Sequence, residues 1–340
     1  MRIRLLDTWL LSMNLWHGER RPHGRRVSDL KDTIKIGTRG SRLALWQAEF
    51  VKSSLAQGSP EIEFEIVVIK TTGDLNLDTA LSKVGDKGLF TREIENALLT
   101  GEIDLAVHSL KDLPTVQPEG LIIAAVSERE RPNDVLISKA AGSIAALPNG
   151  ARVATGSLRR QSQLLAQRPD VEVAEMRGNI PTRIEKFLAS DLDAMILAYA
   201  GMHRLGLDEH IRQIIPTSEI IPAVGQGAIA VETRRDDVTA LVAAFNDAET
   251  EVCVLAERAF LRSLEGGCQV PIGANAVCSD GGIRLGGFIG SLDGSRVILE
   301  SIAGKCEDAE SLGLELADRC LSLGANDILN AARAVSAEAA

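Results

Sequence analysis

The sequence predicts an α/β protein in which two units of alternating strands and helices precede a smaller α+β domain. Three observations carry this expectation. Strand, glycine-containing turn and helix recur from Ile34 to about Ile220. Runs such as Phe64 to Lys70 are near-continuously apolar and β-branched, as in strands buried on both faces. After Glu249 the order changes to a long helix, three successive strands and closing helices.

Ile34 to Thr38 reads as the first strand, and Leu43, Trp46, Gln47, Phe50 and Val51 recur at helical spacing behind it. The Phe64 strand follows, then a helix marked by Ile94, Ala97 and Leu98, and strands at Leu105 to Val107 and Leu121 to Val126. The expected sheet is largely parallel. A second unit starts after the Pro132-Asn133-Asp134 break. Its strands are expected at Val135 to Ile137, Arg152 to Thr155, Val171 to Glu175 and Ala194 to Ala198, with helices at Ser157 to Gln167 and Ile180 to Ala189. Ile229 to Thr233 has no helix of its own before it and is free to return to the first sheet. Val252, Leu255, Ala256, Ala259 and Phe260 then line one face of a helix of about four turns. Strands at Ala274 to Cys278, Ile283 to Ile289 and Val297 to Ala303, and helices at Asp308 to Leu323 and Asp327 to Val335, complete the chain. The expected division is a disordered leader at 1–30, an α/β domain at 31–130 plus 226–246, a second at 131–225, and an α+β domain at 247–340.

At 340 residues, 45% hydrophobic and 25% charged, the chain has ample apolar surface for more than one core. No stretch nears the roughly 20 apolar residues of a membrane span. A net charge of −10 and only 3% aromatic residues argue against a nucleic-acid partner. Residues 1–30 differ: six arginines against Asp7, Glu19 and Asp29 make them +3, leaving −13 for the rest. Asp7 interrupts the apolar patch and no small-x-small site follows, so the leader fails as a secretory signal; an extension, an upstream start or a transit peptide are the remaining readings. Five cysteines, with no C-x-x-C pair, argue for a reducing compartment and against a zinc site, and no metal is expected.

In open α/β sheets, ligands lie beyond the carboxyl ends of strands, and there this sequence gathers cations and hydroxyls. Arg39 and Ser41 follow the first strand; His108-Ser109-Leu110-Lys111-Asp112 follows the Leu105 strand; Thr155, Ser157, Arg159 and Arg160 open a helix; Arg177, Arg183 and Arg204 follow the next two strands. One arginine near a helix start is usually a solvated surface residue. Repetition of the same topological position points instead to a small polyanionic ligand, because guanidinium groups grip carboxylates or phosphates at two points. His108 alone reads as a structural residue, and Asp112 before Leu113-Pro114 could cap a turn. Neither glycine-rich phosphate signature is present. Cys268 stands in Leu264-Glu265-Gly266-Gly267-Cys268-Gln269-Val270-Pro271, between the long helix and a strand, where two glycines leave the sulfur uncrowded. A buried, inert thiol fits those residues equally well.

Eight segments, in order, resemble the porphobilinogen deaminase (hydroxymethylbilane synthase) family: IGTRGSRLALWQA, TTGDLNLDTALSKVGDKGLF, DLAVHSLKDLP, ATGSLRRQSQL, MRGNIPTRI, LAYAGMHRLGL, IPAVGQGA and LEGGCQVPIG. The resemblance runs from about Ile34 to the C-terminal helices. It implies two periplasmic-binding-protein-like α/β domains with a cleft between them, and a third domain whose cysteine, here Cys268, holds a dipyrromethane cofactor by a thioether. It implies condensation of four porphobilinogen molecules head to tail with loss of ammonia, then hydrolysis to hydroxymethylbilane for tetrapyrrole synthesis. Carried over by position, Asp112 is the catalytic carboxylate. Lys111, Ser109, Thr155, Ser157, Arg159, Arg160 and Arg183 hold the cofactor, and Arg39, Ser41, Arg177, Arg204 and Gln226 meet the substrate. Lys83 and Lys87 belong to a mobile covering loop, and Arg129 matches a position near the hinge. Thr72 stands where some members have arginine, so no anion contact is expected there. The implied protein is a cytoplasmic monomer, or one of an organelle stroma or matrix if the leader is a transit peptide. Two rivals fit the residues less well. A solute receptor has no use for Cys268 or a third domain, and a thiol acyl-transferase lacks a recognisable basic partner.

Overall fold

A computed structural model of the protein describes residues 32–75, 91–236, 238–266 and 270–338. The leader, the covering loop with Lys83 and Lys87, and Cys268 lie outside the described residues. In chain order, β1 (Thr33–Thr38), α1 (Arg42–Gly58), β2 (Glu63–Val68), α2 (Arg92–Thr100), β3 (Leu105–Ser109) and β4 (Leu121–Val126) open the fold. β5 (Asp134–Ser138), β6 (Arg152–Ala154), α3 (Leu158–Gln167), β7 (Glu172–Ala174), α4 (Ile180–Ala189), β8 (Ala194–Ala198), α5 (Tyr199–Arg204) and β9 (Gln213–Ile214) follow. Then come β10 (Ile229–Arg234), α6 (Ala248–Ser263), β11 (Ile272–Ser279), β12 (Gly282–Gly290), β13 (Val297–Lys305), α7 (Ala309–Ser322) and α8 (Ala325–Glu338).

The first sheet has the order β2-β1-β3-β10-β4, and β10 does return to it, antiparallel to both neighbours. The second has the order β7-β6-β8-β5-β9, with β5 antiparallel to β8 and β9. In each sheet four of the five strands share one direction, as a largely parallel sheet requires, and one strand, β10 in the first and β5 in the second, runs against the rest. The crossover strands β10 and β5 enter from the opposite end, a reversal that hydrophobic pattern does not encode. β11-β12-β13 form a third, antiparallel sheet, the last two strands joined through Asp293-Gly294 with Gly294 at φ +70°.

Burial explains the placement. Ile34 and Ile36 of β1 and Leu105 and Val107 of β3 are buried, Ala106 on the other face of β3 packs with Ile94, Ala97 and Leu98 of α2, and every residue of β5 and β8 is buried, as expected of strands covered on both faces. An extensive apolar cluster lies between the third sheet and α6, α7 and α8, around Phe260, Leu285, Ile289 and Leu316.

Candidate active site

α1 starts where Ser41 takes the N-cap, its Oγ accepting from the Ala44 N–H at 3.2 Å. Arg39 precedes the cap and Gln47 lies buried one and a half turns on. Gln47 Nε2 donates to Ser109 Oγ at 2.9 Å, which fixes the hydroxyl at the end of β3. Arg39, Ser41, Gln47, His108, Ser109 and Asp112 then line one depression, with Asp112 exposed at its edge. His108 Nε2 also lies 3.3 Å from the carboxylate of the fully buried Glu232.

The second sheet supplies a buried charge cluster. Asp134 opens β5 with no exposure and accepts from Arg159 Nη1 at 2.7 Å, from Arg160 Nε at 3.0 Å and Nη2 at 2.7 Å, and from Gln226 Nε2 at 2.9 Å. Burial alone would raise the Asp134 carboxyl. The two guanidinium groups overcome it and hold the group well below the usual carboxylate range. Two cations against one carboxylate leave a positive surplus, and it spreads. Burial, with Arg160 and Arg159 adding to it against Asp112 and Asp134, pushes the half-buried Lys111 amine down to about 8. Burial, reinforced by Arg160 and Arg177 and opposed by Asp112, brings Arg183 to about 10. Lys111 and Asp112 from the first sheet thus share one electrostatic field with Arg159, Arg160 and Arg183 from the second.

The remaining expected residues take their places from local structure. Ser157 is the N-cap residue of α3, and its N–H donates to Thr155 Oγ1 at 3.2 Å. Asn179 caps α4, with Pro181 at its start. Arg183 Nε donates to the Gly178 carbonyl at 2.6 Å, and Arg177 Nε to Glu175 at 2.7 Å. Arg204 donates to the Gly227 carbonyl at 2.7 Å and lies 5.6 Å from the Trp46 ring centroid, joining the two sheets. Gly227 is required there: at φ +97° any Cβ would stand 2.1 Å from the Glu130 carbonyl. Gln226 is fully buried at the hinge, its Nε2 also donating to the Pro132 carbonyl. Thr72 turns its N–H and hydroxyl to Glu93.

The third sheet meets this cluster at Gly273, just beyond the undescribed residues 267–269. A Cβ on Gly273 would lie 2.9 Å from the Ile221 and Pro222 carbonyls and 3.2 Å from Arg159 Cδ, so only glycine admits so close a contact. Ala274 N–H then donates to the Pro222 carbonyl at 3.0 Å. On the other side of the loop, Glu265 takes φ +50° and Arg333 of α8 donates to the Leu264 and Glu265 carbonyls. Two residues that shape the site carry no signal in the sequence: Asp134 and Arg333. Asp134 stood in what read as a turn, and no sequence signal pairs it with arginines 25 and 26 residues away.

A dipyrromethane bearing carboxylate arms fits the residues present. The depressed Lys111 and Arg183 values report a desolvated cation cluster with fewer carboxylates than cations, which anionic arms would relieve. Among the described residues, no group of three or more His, Cys, Asp or Glu is placed to hold a metal ion.

Two family models match the chain: "Porphobilinogen deaminase, dipyromethane cofactor binding domain" over residues 34–241, and "Porphobilinogen deaminase, C-terminal domain" over 251–322. Similar curated relatives include the porphobilinogen deaminase of Chloroherpeton thalassium, 54% identical over 306 residues that cover 88% of this chain and 98% of that one. That of Chlorobium phaeobacteroides strain BS1 is 51% identical, with the same coverage. Among solved structures, the periplasmic VFT2 domain of Bordetella pertussis BvgS aligns at TM-score 0.37 and 15% identity, covering 63% of this chain and 85% of that one. The aliphatic sulphonate binding protein SsuA of Escherichia coli aligns at 0.35 and 16%, covering 69% and 71%. Likenesses this slight carry no functional inference.

Proposed function

The chain belongs to the porphobilinogen deaminase family, and from that premise we propose how its own residues carry the reaction. The enzyme is a transferase of tetrapyrrole biosynthesis. It condenses four porphobilinogen molecules head to tail with release of ammonia, then frees hydroxymethylbilane by hydrolysis. When bound, the dipyrromethane supplies the nucleophilic pyrrole carbon to which the first substrate is joined. Cys268 is its attachment point.

Lys111, Ser109, Thr155, Ser157, Arg159, Arg160 and Arg183 hold the cofactor carboxylates. The single observation that supports this is the positive surplus around Asp134, where two guanidiniums share one acid beside Lys111 and Arg183. Arg39, Ser41, Arg177 and Arg204 receive the acetate and propionate arms of the incoming substrate, and Gln226 contributes from the hinge through Asp134. Asp112 accepts from a pyrrole N–H and stabilises the positive charge that develops on that nitrogen, the electrostatic help that dominates many enzymes. Its position between Lys111 and the first-sheet depression supports that role.

We divide the chain at 31–130 plus 226–246, 131–225 and 247–340; membership of β10 in the first sheet supports the split first domain. The protein works as a monomer, without nucleic-acid or membrane partners, in the bacterial cytoplasm, or in an organelle if residues 1–30 are a transit peptide. Among the described residues, no helix is long and apolar enough to cross a membrane. The test is an assay of purified protein with porphobilinogen, scoring ammonia and linear tetrapyrrole together. Arg183→Gln is expected to fold but to lose most cofactor; full retention and normal turnover would remove Arg183 from the cofactor group.

A further inference from the structure

Three cysteines that the reaction does not use meet at one end of the third sheet. Cys253 Sγ, on α6, lies 3.4 Å from Cys278 Sγ on β11, and Cys306 Sγ, in the turn after β13, lies 3.7 Å from the same sulfur. Sequence gives no hint of this, since the three are 25 and 28 residues apart. Cys278 and Cys306 are half-buried and open to solvent, while Cys253 is buried beneath them. A disulfide needs sulfurs at about 2.05 Å, so a further approach of roughly 1.4 Å closes the Cys253 and Cys278 pair, within reach of side-chain torsion. One turn past Cys253 on α6, Glu257 already accepts from the Ala276 N–H of β11 at 2.7 Å, holding the two elements in register where the bond would form.

We propose that Cys253, Cys278 and Cys306 form an oxidative modification site for small hydroperoxides, with Cys278 as the shared partner of a reversible disulfide. The peroxide O–O bond breaks as its terminal oxygen transfers to Cys278 sulfur, giving a sulfenic acid and one water from hydrogen peroxide, or one alcohol from an organic hydroperoxide. The Cys253 thiol then attacks that sulfur, forming the S–S bond and releasing water. The two thiols lose two electrons together and the peroxide gains two. Cys306, touching the same sulfur, exchanges into the bond by displacing Cys253 as a thiol, with no net redox change. A dithiol reductant returns all three to thiols, consistent with a reducing compartment in which protein disulfides are transient. Burial, and for Cys278 the neighbouring thiols as well, pushes the Cys253 and Cys278 thiols above their ordinary values, so reaction at neutral pH is slow and requires accumulated peroxide.

The bond joins α6 to β11, the two elements that flank residues 267–269. Oxidised protein therefore has a cross-linked denatured state and unfolds at higher denaturant.

The test treats full-length holoenzyme with hydrogen peroxide, blocks remaining thiols with N-ethylmaleimide, digests without reduction and reads the peptides by mass spectrometry. The expected product joins Cys278 to Cys253 or to Cys306, about 2 Da lighter than the two reduced peptides together. It disappears with dithiothreitol and is missing from Cys278→Ala, while Cys253→Ala retains the Cys278 to Cys306 link. Three failures each overturn the proposal: full alkylation of all three cysteines after peroxide, over-oxidation of Cys278 without a cross-link, or cross-links confined to Cys320. The wild-type result stands whether or not the variants fold.

Discussion

Glu257 and Arg129 meet in a two-point ion pair, 2.6 and 3.1 Å, with the carboxylate fully buried. The same carboxylate accepts from the Gly225 N–H at 2.8 Å and the Ala276 N–H at 2.7 Å. One side chain on α6 thus ties the hinge before β10 to the first strand of the third sheet. Because all these donors are inside the protein, removing the acid leaves them unsatisfied. Glu257→Ala is expected to lose about 3–5 kcal/mol of stability. Urea denaturation of variant and wild type measures it; a change under about 1 kcal/mol would show that Glu257 is no tie.

Asp134 gives the protein an acid-sensitive joint. Its folded carboxyl lies below the unfolded value of about 3.9, so its contribution is present above that value and disappears as pH falls further. Asp134→Asn should therefore be less stable at neutral pH and should flatten the acid limb of the stability curve below about pH 4. Parallel acid limbs in variant and wild type would contradict this.

Lys111 acts in the same direction but in an alkaline window. Its folded value of about 8 is below the unfolded value of about 10.4, so between them the unfolded chain holds a proton that the folded chain has released. Stability from this group rises as pH climbs through that window. Cofactor carboxylates beside the amine would restore its charge and narrow the window. Denaturation midpoints measured against pH should rise more steeply for cofactor-free protein than for loaded enzyme. Lys111→Gln should abolish the difference.

Asp112 is exposed and its loss creates no buried defect. Asp112→Ala is expected to fold, keep its cofactor and lose about 10²–10⁴-fold in kcat. Steady-state rates beside a cofactor measurement check both halves, and near-normal turnover would remove Asp112 from its role.

What the sequence made legible follows the range of the interactions. Local periodicity located α4 at Ile180–Ala189 and β8 at Ala194–Ala198, because each buries a regular face. It could not fix the direction of β5 or β10, which depends on distant partners. Loop arginines were readable as a group, since their types and positions repeat. Their division of labour was not: Arg159 and Arg160 are adjacent in sequence, and only folding shows both turned onto Asp134. Glu257 carries no signal in the sequence although it is fully buried, because no local pattern distinguishes an acid with four distant donors from a solvated one. The Cys253, Cys278 and Cys306 contact was equally invisible.

The central claim is that Cys268 carries a two-ring primer. Intact-mass measurement of protein purified from a tetrapyrrole-synthesising host tests it most directly. Wild-type protein is predicted to exceed its sequence mass by two condensed porphobilinogen units, and Cys268→Ala to match its sequence mass. Wild-type protein at its bare sequence mass, or a variant that keeps the added mass, would contradict the account.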